Sequence, residues 1–243
     1  MSAVTPSSAR AHAFVADIEA PRLDADDDRH LHRSLRLPPG CDVTAGDGAG
    51  RWRACRLTTG AELEAVGDVV TDPVPDPPLT VAFALVKGER PELVVQKLTE
   101  LGVDRIVPFR AERSVVRWEP AKADRQAERL RTIARQASMQ CRRTFVPEVE
   151  PVADFAAAAA FSGAHLADGA GDPPSLSVRT VLVGPEGGWS PSERGFGLPL
   201  VRLGAHTLRS ETAAITAGAL LVAIRSRIVG PLVSAQVKEP HGT

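Results

Sequence analysis

Apolar and polar positions change their rhythm at a proline-rich stretch, "TDPVPDPPLT", residues 71–80. Upstream, short runs such as "AHAFVADI" (11–18), "DVTAGDGAGRWRACRL" (42–57) and "AELEAVGDVV" (61–70) are broken by Gly and Asp, a pattern that predicts a small β-rich barrel. One or two helical turns are expected around residues 27–35. Four prolines in ten residues remove backbone donors and favour extended chain, so 71–80 reads as a stiff linker between residues 1–73 and 74–243.

Downstream, "LTVAFALV" (79–86) is continuously apolar, as expected of a parallel strand buried on both faces. A helix follows with Pro91 in its first turn, Val94, Leu98 and Leu101 on one face, and Gly102 as its stop. "RIVPF" (105–109) is the next strand. Ala127, Leu130, Ala134, Ala137 and Cys141 share a helical stripe over residues 122–141, which predicts Cys141 to be buried and inert. Strands are expected at "AHLAD" (164–168), "TVLVG" (180–184) and "LVRLG" (200–204), with an alanine-rich connecting helix over 155–163. A last helix begins near Glu211 and is apolar nearly all round, which predicts burial. Alternation of strand and helix gives an α/β class with a parallel sheet.

The chemistry sits where strands end. "TVLVGPEGGWSPSE" (180–193) runs from an apolar strand into Gly184, Pro185, Glu186, Gly187 and Gly188, and then a helix start. Ser190, Pro191 and Glu193 form a capping-box pattern. Glycine permits positive φ or the close approach of a ligand, and ligands of open α/β sheets bind beyond the carboxyl ends of the strands. The spacing matches neither GxGxxG nor a P-loop. A second turn, within "RLGAHTLRSETAAITAGALL" (202–221), leads through Gly204 to Ser210, a candidate helix cap that places Arg209 and Glu211 at the mouth of the sheet. Two such turns can converge on one crevice.

Charge changes the picture only locally. The net charge is -1, yet residues 105–143 hold 11 Lys/Arg against 4 Asp/Glu. Arg125 and Arg129, like Arg131 and Arg135, lie four apart and share helix faces. Trp118 lies just upstream and could stack on an unpaired base. Arginine contacts to phosphate suit RNA, with Arg113, Arg117, Arg129, Arg135, Arg142 and Arg143 as candidates; a solvated helix face is the plainer alternative. "DADDD" (24–28) lacks calcium-loop spacing and reads as a solvated turn. His30 and His32 lack partners for a metal. Three cysteines without CxxC spacing fit a reducing compartment. No secretory signal or membrane-length apolar run is visible, which points to the cytoplasm and away from membranes.

The ordered segments "RHLHRSLRLPPGCDV", "KGERPELVVQKLTELGVDRIVPF", "ERSVVRW", "ASMQC", "VLVGPEGGWSPSE" and "LGAHTLRSETA" resemble the ribosomal RNA small-subunit methyltransferase E family. The resemblance covers nearly the whole chain. It implies a SPOUT-type α/β knot, that is, a trefoil-knotted parallel sheet with flanking helices, preceded by a PUA-like β-barrel for RNA recognition. It also implies transfer of methyl from S-adenosylmethionine to N3 of a uridine in 16S rRNA of the small ribosomal subunit, without a metal, by a homodimer. By motif position, the cofactor contacts carry over to Gly184, Pro185, Glu186, Gly187, Gly188, Leu203, Gly204, Leu208, Arg209 and Ser210, and less specifically to Leu166. Arg142-Arg143 replaces the Gly-Arg of many members, and the segment between the two cofactor loops is short.

N3 of uridine carries an imide proton that must leave for methylation. Arg209 is the candidate stabiliser of the resulting anion, and Glu186 and Glu211 are the candidate proton acceptors, unranked. Ribose 2′-O-methylation and catalytically silent RNA binding are the alternatives.

Overall fold

A computed structural model describes residues 4–86, 88 and 90–229. Lys87 and Glu89 of the quoted motif, and the chain ends included in 1–73 and 74–243, lie outside the described residues.

The first sheet contains β1 (His12–Phe14), β2 (Asp42–Gly46), β3 (Arg51–Leu57), β4 (Leu63–Ala65) and β5 (Val70–Thr71). Its order is β1-β2-β3-β4, with β5 also on β3. The β1–β2 pair is parallel and the others are antiparallel. The named strands form an open path rather than a closed ring; a bridge from Arg22 to Glu62 adds the chain after β1 to the edge of β4. Alternate residues face inward, so Ala13, Val43, Ala45, Cys55, Leu57 and Leu63 share one core. The acidic run begins a short helix, α1 (Ala25–Arg29), in which Asp24 caps the N–H groups of Asp26 and Asp27. A π-helical turn, His30–Ser34, follows. Asp27 is buried, which corrects the expectation of a wholly solvated turn.

The second sheet contains β6 (Thr80–Ala84), β7 (Arg105–Arg110), β8 (Glu148–Val149), β9 (Ala153–Asp154), β10 (Ala164–Asp172), β11 (Thr180–Val183) and β12 (Leu200–Val201). Its order is β12-β10-β11-β6-β7-β8, with β9 also on β7, and every pairing is parallel. The continuous apolar runs follow from burial on both faces. Val81 and Phe83 of β6 join Ile106 and Val181 in one core, whereas Ala82 and Ala84 join Phe109 and Leu182 in another.

Helices α2 (Arg90–Leu101), α3 (Pro120–Cys141) and α6 (Ser210–Arg225) contribute to the first of these cores. The short α4 (Phe155–Ala159) packs in the second, and α5 (Pro191–Arg194) follows the glycine loop. Gly102 ends α2 at φ +102°. Arg142 ends α3 in the left-handed conformation, φ 61°, which glycine adopts without strain. Cys141, the last residue of α3, is exposed, because the apolar stripe leaves the protein as the helix ends; its expected burial is corrected. Burial of α6 is one-sided. Ala213, Ala214, Ala217, Gly218 and Leu221 face the core, while Ile215, Ala219 and Ala223 stay half-exposed. Among the described residues, no helix is long and apolar enough to cross a membrane.

Candidate active site

Because β12, β10 and β11 are adjacent and parallel, their carboxyl ends lie on one edge. The glycine loop leaves β11 there. Gly188 N–H closes a turn onto Pro185 O at 2.9 Å. The far end of the loop is clamped by the expected capping box: Ser190 Oγ accepts from Glu193 N–H, and the Glu193 carboxylate accepts from Ser190 N–H at 2.8 Å. That buried carboxylate also accepts from Glu112 N–H at 2.8 Å, which ties the loop to the end of β7. Trp189 fixes the loop from beneath. Its indole Nε1–H donates to Ala167 O of β10 at 3.0 Å, and its ring stacks on Phe109 at 6.3 Å.

The second turn is fastened to the first. Ser210 Oγ–H donates to Gly184 O at 2.8 Å. Ser210 was expected to cap α6, but the cap position is occupied by Arg209, without a side-chain cap bond. Ser210 is the first helical residue, so its hydroxyl is free to hold the neighbouring loop. Two turns 26 residues apart thus become one wall.

The glycines have different reasons. A Cβ on Gly184 would approach the Trp189 ring to 3.1 Å, and one on Gly187 would meet Arg113 Cβ at 3.3 Å, so these two are set by packing. Gly188 takes φ +67° and, like Gly204, faces open space. Leu203 and Leu208 are partly buried against the core, and Leu166 is fully buried in β10. Glu211 Oε2 is buried with no partner. Open glycines, flanking leucines and an orphan carboxylate oxygen suit a ligand with an apolar body and O–H or N–H donors.

The ionic arrangement contains a residue that sequence reasoning missed. Arg90, at the start of α2, donates from Nη1 to Glu186 Oε1 at 3.1 Å, and its Nε lies 3.6 Å from Glu211 Oε1. It joins the two candidate carboxylates, one from each turn. "KGER" stood within a quoted motif, but nothing local marked Arg90 over its neighbours. Arg209 is exposed and makes no ion pair or side-chain hydrogen bond among the described residues.

The candidate RNA arginines are not one surface. Arg113 donates to Gly187 O at 3.1 Å, beside the glycine loop, and Arg117 is exposed. Arg129 is exposed and pairs with Glu92 at 2.8 Å. Arg135 donates to Asp27 at 2.5 Å and to Phe14 O at 3.1 Å, fastening α3 to the first sheet. Arg143 is held by the carbonyls of Thr99 and Val103 and by Asp104. The Arg135 and Arg143 guanidinium groups are each engaged within the fold. Arg142 donates to Ser7 O. A cleft of about 1240 Å³ lies between the first sheet with α1 and helices α2 and α3, and Arg90 is among its lining residues. Among the described residues, no three His, Cys, Asp or Glu cluster as metal ligands.

Residues 74–222 match the family of RNA methyltransferase domains. The chain is 33% identical over 231 residues to the ribosomal RNA small subunit methyltransferase E of Mycobacterium tuberculosis, covering 84% of this chain and 87% of that one. Among solved structures, it resembles the ribosomal RNA small subunit methyltransferase E of Neisseria gonorrhoeae bound to S-adenosyl methionine, with TM-score 0.74 and 28% identity over 88% of this chain and 97% of that one. It is also similar to a Legionella pneumophila methyltransferase in complex with S-adenosyl methionine, with TM-score 0.74 and 26% identity over 87% and 96% of the two chains.

Proposed function

From the premise that the chain belongs to the ribosomal RNA small subunit methyltransferase E family, we propose that it transfers a methyl group from S-adenosylmethionine to N3 of a uridine in 16S rRNA. The protein is an S-adenosylmethionine-dependent rRNA methyltransferase. The observation that carries the site assignment is the Ser210–Gly184 hydrogen bond, which joins the two turns expected to hold the cofactor.

Gly188 and Gly204 leave room for close backbone approach, and Leu203 and Leu208 offer an apolar wall. When bound, the cofactor supplies an electrophilic methyl group. The protein's remaining tasks are to position the nucleotide and to accommodate the negative charge that develops as N3 loses its proton. Arg209 serves the second task, because its exposed guanidinium can donate to the uracil oxygens. Glu211, with one unpartnered oxygen and one held near Arg90, is the better placed proton acceptor. Glu186 is more exposed and acts through Arg90.

The same reading assigns residues 1–73 to a PUA-like RNA-recognition unit and residues 74–243 to a SPOUT-type α/β knot. The half-exposed apolar face of α6 supports a homodimer. The protein acts in the cytoplasm, where its rRNA is. The test is mass spectrometry of nucleosides from small subunits incubated with the protein and labelled cofactor. Label in 3-methyluridine is expected. Label in a 2′-O-methyl nucleoside would assign ribose chemistry instead, and no label would leave only RNA binding.

A further inference from the structure

The cleft between the first sheet and helices α2 and α3 takes none of its lining from the two cofactor turns, and Arg90 is what connects it to them. Arg90 lines the cleft and also contacts Glu186 and Glu211. Arg142 lines it as well. Glu92 pairs with Arg129, which aligns the start of α2 with the middle of α3. Arg142 caps the C-terminus of that helix, 142 − 129 = 13 residues beyond Arg129 and about 20 Å away at the α-helical rise. The cleft therefore extends from Arg90, which contacts the candidate active site, to the C-terminal end of α3.

Its lining has a definite chemistry. Gln96 of α2 and Gln136 and Gln140 of α3 are exposed along it, and the latter two are four apart on one helix face. Leu35 and Leu93, 47% and 42% exposed, also line it; both are large side chains left partly uncovered in the same cleft. Of its acidic residues, Asp27 is paired with Arg135, Glu92 with Arg129 and Asp26 with Arg29. Arg10 and Arg142 have no carboxylate partner among the described residues, which leaves the cleft's uncompensated charge positive. Apolar surface, amides with both donor and acceptor, and uncompensated guanidinium groups match the face, edge and phosphate of an unpaired nucleotide.

We propose that this cleft seats the single-stranded rRNA segment adjoining the methylated nucleotide, with Gln96, Gln136 and Gln140 reading base edges and Arg10 and Arg142 holding phosphates. This rests on the rRNA reading above and adds to it the surface that selects the sequence. It also moves RNA selection away from Arg135 and Arg143.

The test uses the full chain carrying Gln96→Ala, Gln136→Ala and Gln140→Ala together, and separately Arg10→Glu. Binding of fluorescent 16S-derived oligonucleotides is read by anisotropy, which does not depend on methyl transfer. The parent should discriminate among base changes flanking the target uridine, and the triple variant should lose that discrimination and bind about 10–100-fold more weakly, with cofactor affinity unchanged. Arg10→Glu should weaken all oligonucleotides alike and flatten the salt dependence. Unchanged affinity and discrimination in the triple variant overturn the proposal, even if the parent methylates rRNA. Lost discrimination in a protein that fails to methylate supports the cleft and overturns the function. A parent that binds no RNA overturns both.

Discussion

Arg90 links the two turns electrostatically, as Ser210 links them by a hydrogen bond. Replacing it with glutamine should free Glu186 and Glu211 and lower single-turnover methyl transfer about 10–100-fold, since small misplacements in an active site have effects of that order. Cofactor affinity, read by calorimetry, should change far less. Arg209→Lys tests the stabilising role directly. Lysine keeps the charge but lacks the planar fork that can meet a flat imide. Transfer should fall roughly 10²–10³-fold with cofactor binding retained; a rate within a few-fold of the parent would make Arg209 structural. Gly188→Val should remove cofactor binding because a β-branched residue is strained at φ +67°, rather than because its side chain meets an obstacle. Circular dichroism of the same variant should show the fold retained. At this scale the glycines and the capping box were legible, because both are local. Arg90 was not, since its partners lie 96 and 121 residues away (186 − 90 and 211 − 90).

Among the elements, α6 departs most from the sequence expectation. Its composition is apolar on every side, which periodicity reads as full burial. The chain covers only the face of Ala214 and Ala217, and Ile215, Ala219 and Ala223 keep partial exposure. Ala219→Arg should therefore leave the monomer folded and shift sedimentation from dimer to monomer. A dimer that persists would place the interface elsewhere. Helix α3 shows the converse. Its stripe of Ala127, Leu130, Ala134 and Ala137 is buried as the spacing predicts, and the stripe fails only at Cys141, where the helix leaves the core. Arg142 takes φ 61° at an energetic cost that a glycine at this position would avoid.

Across the whole molecule, the two sheets are joined by polar groups that titrate or pair. Arg135 reaches from α3 to Asp27, whose side chain is only 8% exposed, and its guanidinium lies 5.9 Å from the Phe14 ring centre. Arg135→Ala should lower stability by roughly 2–3 kcal/mol, less than for a fully buried pair because the arginine is partly solvated. His12 lies at the same junction, buried, with Nδ1 on Thr44 Oγ1 at 2.9 Å. Burial lowers its pKa to about 4, Arg142 adds to the effect, and Asp72 opposes it. The unfolded chain therefore binds a proton that the folded protein refuses. Stability should rise with pH between about 4 and 6.5 and fall on acidification through that window, by an amount on the order of 3 kcal/mol. Urea melts at pH 4.5 and 7 should show this dependence, and His12→Gln should reduce it.

The alternation of strand and helix, the parallel sheet, the glycine loop and the helix starts were determined by the sequence itself. Each depends on neighbours a few residues away: side-chain period, missing donors and capping hydroxyls. Which arginines remain free, which carboxylates face each other, and which side of α6 stays uncovered were decided only by the tertiary structure. Those facts depend on strand order β12-β10-β11-β6 and on the docking of α3 against the first sheet, which brings Arg135 and Phe14, 121 positions apart, into contact. A charge run in sequence counts guanidinium groups, whereas the fold sets which carbonyls and carboxylates they meet. Arg135 and Arg143 are therefore bound within the protein, while the glutamines beside them line the open cleft.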